Sequence, residues 1–196
     1  EATEDITKMA AMSPSEKSYF ETSVFAHAKH RIAWLLILMF SATITGTIIT
    51  RYENAFAAIP LLVSFIPMLM DTGGNCGSQS STLIIRGIAL GEIQFSDLFR
   101  VMFKEFRVSL IVGVALALAN GIRILIMYKN AGLALVIGLS LVATIVISKL
   151  IGCVLPLIAK KLHMDPAIMA SPLITTLVDT CSILIYFNIA TQVFQL

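Results

Sequence analysis

The sequence predicts an all-α, polytopic membrane protein with five transmembrane helices per subunit, working as a homodimer with a pore at the subunit interface. Composition points first to the membrane. Of 196 residues, 57% are hydrophobic and 13% charged, against roughly 45–50% and ~25% in soluble domains, and the mean hydropathy is +0.88. A water-soluble particle of this size cannot hide so much apolar surface, so the bilayer is the solvent for most of the chain. Patterning comes second: the apolar residues form five runs, each long enough or nearly so to cross a hydrocarbon layer that needs ~20 helical residues. Their odd number is the third observation. A two-fold pore is hard to build from one such subunit, and a homodimer supplies the missing symmetry. The 14 Lys and Arg against 12 Asp and Glu lie in clusters between the runs, a pattern of membrane topology that excludes nucleic acid as a partner.

Residues 1–31 form a polar region outside the membrane, a short helix followed by an amphipathic one. Glu1, Glu4 and Asp5 precede Lys8, and Ser13-Pro14-Ser15 marks the break between the two. The chain opens on Glu1 without the basic and short apolar pattern of a signal peptide, which suggests a fragment of something longer. Residues 32–196 form the five-helix pore domain, with spans at about 32–50, 55–88, 102–128, 131–159 and 166–193. The second span differs from the rest. After an apolar first half it runs into Asp71-Thr72-Gly73-Gly74-Asn75-Cys76-Gly77-Ser78-Gln79-Ser80-Ser81-Thr82 before turning apolar again at Leu83, and a helix facing lipid would not tolerate that stretch. Lys8, Lys17, Lys29 and Arg31, then Arg86, Arg100, Lys104 and Arg107, then Lys160 and Lys161 flank one side, against Arg51 and Lys129 on the other. That bias places the amino terminus in the cytoplasm and Leu196 outside. Arg123 and Lys149 lie within or near spans, where snorkelling accounts for them. The basic clusters serve as anchors contacting lipid headgroups.

Asp179 follows Pro166 by thirteen residues, which puts it ~20 Å into the last helix, near the bilayer centre. Insertion of a carboxylate there costs about 2.5–3.5 kcal/mol, so a watery cavity, a cation or another partner must account for it. Ser171, Thr175, Asp179, Ser182 and Tyr186 recur at spacings of three and four and form one polar stripe. A hydrogen-bonded seam between helices is the alternative for the hydroxyls, although a seam needs no carboxylate. Asp71, Asn75, Ser78 or Gln79, Thr82 and Arg86 form a second polar face, beside which Gly73, Gly74 and Gly77 allow a neighbouring helix to approach and bare backbone carbonyls. The glycines can equally be ordinary packing devices.

Together the two faces offer carboxylate, hydroxyl, amide and carbonyl oxygens without a histidine or thiolate cluster, a donor set for hard divalent cations such as Mg²⁺ or Ca²⁺. Mg²⁺ keeps several waters, so a site for its passage should be wide and use few carboxylates. His27, His30 and His163 fall in polar flanks and read as interfacial side chains. Cys76, Cys153 and Cys181, an odd set without a CxxC, read as packing residues. Asp71 and Asp179 could also be the carboxylate pair of an intramembrane aspartyl protease, but the YD and GxGD patterns are absent. A membrane scaffold without transport would leave Asp179 unexplained.

The run from Pro67 through Asp71-Thr72-Gly73-Gly74-Asn75 to Arg86-Gly87 resembles the signature of the MgtE family of magnesium channels and transporters. Asp165-Pro166-Ala167, Ser171-Pro172 and Thr175-Thr176-Leu177-Val178-Asp179 resemble that family's fifth helix. The resemblance implies a homodimer whose Mg²⁺ path is lined by the second and fifth helices of both subunits, with Asp179 at the position of the family's pore aspartate. It implies that Asp179 holds hydrated Mg²⁺, the transported ion, while Asn75, Thr82, Thr175 and Thr176 add polar contacts and Asp71 and Gly74 lie beside them. It also implies cytoplasmic CBS regulatory domains joined through the helix opening at Glu1. The expected function is divalent-cation transport, as a channel or as a Na⁺- or H⁺-coupled carrier, and not enzymatic.

Overall fold

The computed structural model describes Lys8, residues 19–169 and residues 171–195; residues 1–7 and 9–18, with the expected connecting helix at Glu1, Glu4 and Asp5, lie outside them. The described residues form helices α1 (Val24–Arg51), α2 (Glu53–Ala58), α3 (Ile66–Ala89), α4 (Leu98–Tyr128), α5 (Ala131–Lys161) and α6 (Ser171–Phe194), with short 3₁₀ segments before α3, α4 and α6. Four of them are long and apolar enough to cross a membrane: α1, α4 with its preceding turn, α5 and α6. The chain is therefore a multi-pass membrane protein. α3 is not among the four, because the Asp71–Thr82 stretch dilutes its hydropathy, yet its 24 residues extend ~36 Å at 1.5 Å each.

Capping and proline, rather than hydropathy, set the boundaries. α1 starts at Val24 because the Ser23 hydroxyl caps it, accepting from the Ala26 N–H at 3.3 Å, so the expected boundary at residues 31 and 32 falls inside a continuous helix. The expected span 55–88 is three pieces. Pro60 has no N–H to donate and keeps Ile59 out of the helical region at φ −136°, ψ 83°, so a 3₁₀ turn, Pro60–Phe65, separates α2 from α3. Gly91, at φ +72°, closes α3 by letting the N–H groups of Glu92 and Ile93 return to the Gly87 carbonyl at 2.9 and 3.1 Å. Lys129 ends α4 in a left-handed conformation, and Asn130 caps α5 by accepting from the Leu133 N–H at 2.9 Å.

α5 is the hub, packing on α3, α4 and α6, while α3 also packs on α6 and α1 touches chiefly α6. One apolar cluster, with Leu62, Leu69, Ile137, Ile183 and Phe187, closes the end where α3 begins. A second, with Ile84, Val101, Cys153 and Leu157, closes the end where α3 finishes. Thr45 and Thr180 share a hydrogen bond of 2.9 Å that joins α1 to α6. In the turn before α6, Lys8 donates to Asp165 at 2.7 Å and the Ala167 N–H at 2.9 Å. The Lys8 hydrogen bond holds the Asp165 carboxyl below its ordinary pKa against the opposing effect of partial burial.

Candidate functional site

α3 divides into two faces along the glycine-rich stretch. Gly73, Gly74, Cys76, Gly77, Ser80 and Ser81 are buried, whereas Asp71, Asn75, Gln79 and Thr82 are exposed. The buried face lies against α6 so closely that side chains would collide there. A Cβ on Gly74 would stand 2.9 Å from the Thr175 methyl, and one on Gly73 would stand 2.8 Å from a Val178 methyl and 3.1 Å from the Ser182 hydroxyl. The glycines act as packing devices, and the approach they permit brings the two polar faces together.

What forms between the two faces is an open groove of about 190 Å³ lined by Met70, Asp71, Gly74, Asn75, Thr175 and Asp179. Five of the seven site residues expected from sequence therefore meet in one place. Thr82 lines an adjoining hollow with Asn75, Ser78 and Gln79, its hydroxyl donating to the Ser78 carbonyl at 2.9 Å. Thr176 is outside the groove lining, its hydroxyl donating to the Pro172 carbonyl at 2.8 Å. Arg123 is outside the groove lining, over the Phe65 ring and beside the Met68 sulfur.

The polar stripe on α6 separates into two uses. Its Thr175–Asp179 part faces the groove, while Tyr186 makes the expected seam bond outside its own helix and Ser182 bonds back within α6. Ser182 donates to the Val178 carbonyl at 2.7 Å and the Tyr186 hydroxyl to the Leu62 carbonyl at 2.8 Å, both fully buried. The Ser171 side chain lies outside the described residues. Tyr186→Phe leaves that carbonyl without its partner and is expected to cost about 1–3 kcal/mol, read as a lower thermal unfolding midpoint in detergent. An unchanged midpoint would remove Tyr186 from the seam.

Chemically, the groove presents two carboxylates, an amide and a hydroxyl on an open, wettable surface. Two carboxylates facing one space repel each other, and a cation between them relieves the repulsion. A Mg²⁺ that keeps its octahedral shell of water needs a wide site, and the groove is open. Among the described residues no group of three or more His, Cys, Asp or Glu side chains converges. The donors present suit a cation that keeps its water better than one stripped by a cage.

Sequence reasoning missed one polar cluster. Lys149 does not snorkel: it is 5% exposed, stands 3.9 Å from Glu105 and donates to Ser80 at 3.3 Å. Snorkelling failed because Lys149 lies in the middle of α5, on the face packed against α3. The signal was present, since Glu105 is the only acid in α4 and Lys149 the only charge before the last turn of α5, and intramembrane charges of opposite sign pair.

Comparison with known proteins adds the last observation. The sequence model of the family MgtE, described as a divalent cation transporter, matches residues 66–189. The chain is 39% identical over 191 residues to the magnesium transporter MgtE of Bacillus subtilis and 36% identical over 191 residues to that of Thermus thermophilus. It is 34% identical over 192 residues to that of Enterococcus faecalis. The matches cover 97–98% of this chain and 42% of each relative.

Proposed function

Because the chain belongs to the MgtE family of divalent cation transporters, we propose that it carries hydrated Mg²⁺ across the membrane through the groove between α3 and α6. The family consists of transporters and not enzymes. The observation that carries the reading is the meeting of Asp71 and Asp179 with Asn75, Gly74 and Thr175 in one open groove. In this reading Asp179 holds the hydrated ion. Asp71 shares the charge and Asn75 and Thr175 bond to the ion's water, while Thr82 and Thr176 serve the approach from the neighbouring turns.

Two protomers complete the path. An open groove on one subunit becomes an enclosed pore when the same groove from a second subunit faces it across a two-fold axis, which places α3 and α6 of both around the ion. α3 then crosses the membrane beside α6, with its polar face turned to the water of the pore rather than to lipid. The ten-to-two bias of Lys and Arg puts the amino terminus in the cytoplasm and the carboxyl terminus outside. The curated relatives extend well beyond the matched region, and cytoplasmic CBS domains there would regulate the pore.

The test is flux of Mg²⁺, Mn²⁺, Co²⁺ and Ca²⁺ into proteoliposomes holding this chain, with and without Na⁺ or proton gradients. Mg²⁺ flux that follows membrane potential alone is expected. Strict dependence on a Na⁺ or proton gradient would identify a coupled carrier, and the absence of any divalent flux would overturn the proposal.

A further inference from the structure

Behind the groove, on the other side of α3, three buried polar side chains from three helices meet. Ser80 of α3 donates to Glu105 of α4 at 2.6 Å, and Lys149 of α5 donates to Ser80 at 3.3 Å while standing 3.9 Å from the same carboxylate oxygen. They are 0%, 8% and 5% exposed. A hollow of about 610 Å³ leads to the pair past Glu92, Asp97, Arg100 and Lys104.

A buried ion pair is a poor source of net stability, because desolvation offsets most of the attraction and apolar replacements are often neutral. Its geometry is more informative. Ser80 follows Asp71 by nine residues, which is two and a half turns at 3.6 residues each, so the two side chains leave α3 on opposite faces. Ser80 is also three residues past Gly77, whose backbone lies against Gly152 of α5. Smooth glycine contacts fix how close two helices lie but allow one to turn or slide on the other. A hydrogen bond to a charged group has a fixed direction and length, and here it reaches α3 from two helices at once. Turning α3 by ~10° moves a carboxylate ~5–6 Å from its axis by about 1 Å, and a displacement of that size is enough to spoil a site.

We propose that Glu105 is a positioning residue for ion passage: with Lys149 it holds Ser80, and so sets the rotation and height of α3 that bring Asp71 and Asn75 opposite Asp179. The proposal rests on the reading of the α3–α6 groove as the Mg²⁺ path.

The experiment measures Mg²⁺ flux against Mg²⁺ concentration in proteoliposomes for the native chain, Glu105→Ala, Ser80→Ala and Asp179→Asn. Each rate is divided by the amount of folded protein recovered on size exclusion. Glu105→Ala is expected to raise the half-saturating Mg²⁺ concentration at least about fivefold, and Ser80→Ala about twofold to threefold. A purely structural role would lower the yield of folded protein and leave half-saturation where it was. An unchanged half-saturating concentration in folded Glu105→Ala overturns the proposal. If Glu105→Ala does not fold, the same result in Ser80→Ala, which loses only one hydroxyl, overturns it instead. Asp179→Asn separates the two levels: native-like flux in that variant overturns the reading of the groove itself, whereas lost flux there with native-like Glu105→Ala overturns only the positioning role.

Discussion

Asp179→Ala is expected to lower Mg²⁺ uptake roughly 100- to 1000-fold while leaving the protein folded. A unit charge ~4 Å from a carboxylate gains about 4 kcal/mol at an effective dielectric of ~20, and 1.4 kcal/mol is a factor of ten. Removing the carboxylate withdraws that attraction from the proposed ion path. Folding should not suffer, because among the described residues Asp179 makes no hydrogen bond or ion pair, and α6 is held by apolar groups and by the Thr180 and Tyr186 hydroxyls. The loss of a charge at membrane depth is, if anything, a relief of insertion cost. Growth of a Mg²⁺-auxotrophic cell, with the membrane-inserted protein quantified in parallel, checks both halves. Undiminished rescue by the variant would refute the role assigned to Asp179.

Gly152→Ala is expected to have the largest effect on folding, although the change adds a single methyl group. A Cβ at Gly152 would run into the Gly77 carbonyl oxygen and stand 3.0 Å from its carbon and 3.2 Å from its Cα. These are backbone atoms of α3, and no rotamer change can move them aside. The helices must separate, opening the α3–α5 seam along its length, at a cost of about 1–3 kcal/mol or more for overpacking. Because α3 carries one wall of the groove, flux per folded molecule should fall as well. Gly46→Ala is the control: a Cβ there meets nothing within 4 Å, and alanine favours helix over glycine by ~1 kcal/mol. Thermal unfolding in detergent should show a lower midpoint for Gly152→Ala and an unchanged or higher one for Gly46→Ala. Equal midpoints would show that the seam can open without loss.

The membrane, the helical class and the candidate ion site were legible in the sequence because each is a local property. Twenty apolar residues in a row have no other stable solvent than lipid. A carboxylate within such a run has an insertion cost that only a function accounts for, which singled out Asp179. Helical spacing alone assembled the Asp71, Asn75 and Thr82 face, and the glycines beside it announced a close neighbour. Which neighbour it was, and at what height, depended on α6 meeting α3 from about a hundred residues away.

Tertiary contacts decided what local signals leave open. Pro60 and Pro67 cut one apolar run into three elements, and the Ser23 cap carried α1 outward past charged residues that look like a boundary. The α6 stripe reads as one polar face, yet packing against Leu62 and Gly73 turned half of it into a structural seam and left the other half facing open space. Glu105 and Lys149 make the same point most clearly. Lys149 by itself reads as a snorkelling side chain, and it becomes half of a buried pair only because α3, α4 and α5 converge on Ser80. Period and composition report which face of a helix is apolar or polar, a property of a few turns. Whether a polar face meets water, lipid or another polar side chain is set by the elements packed against it, and that information lies in the rest of the chain.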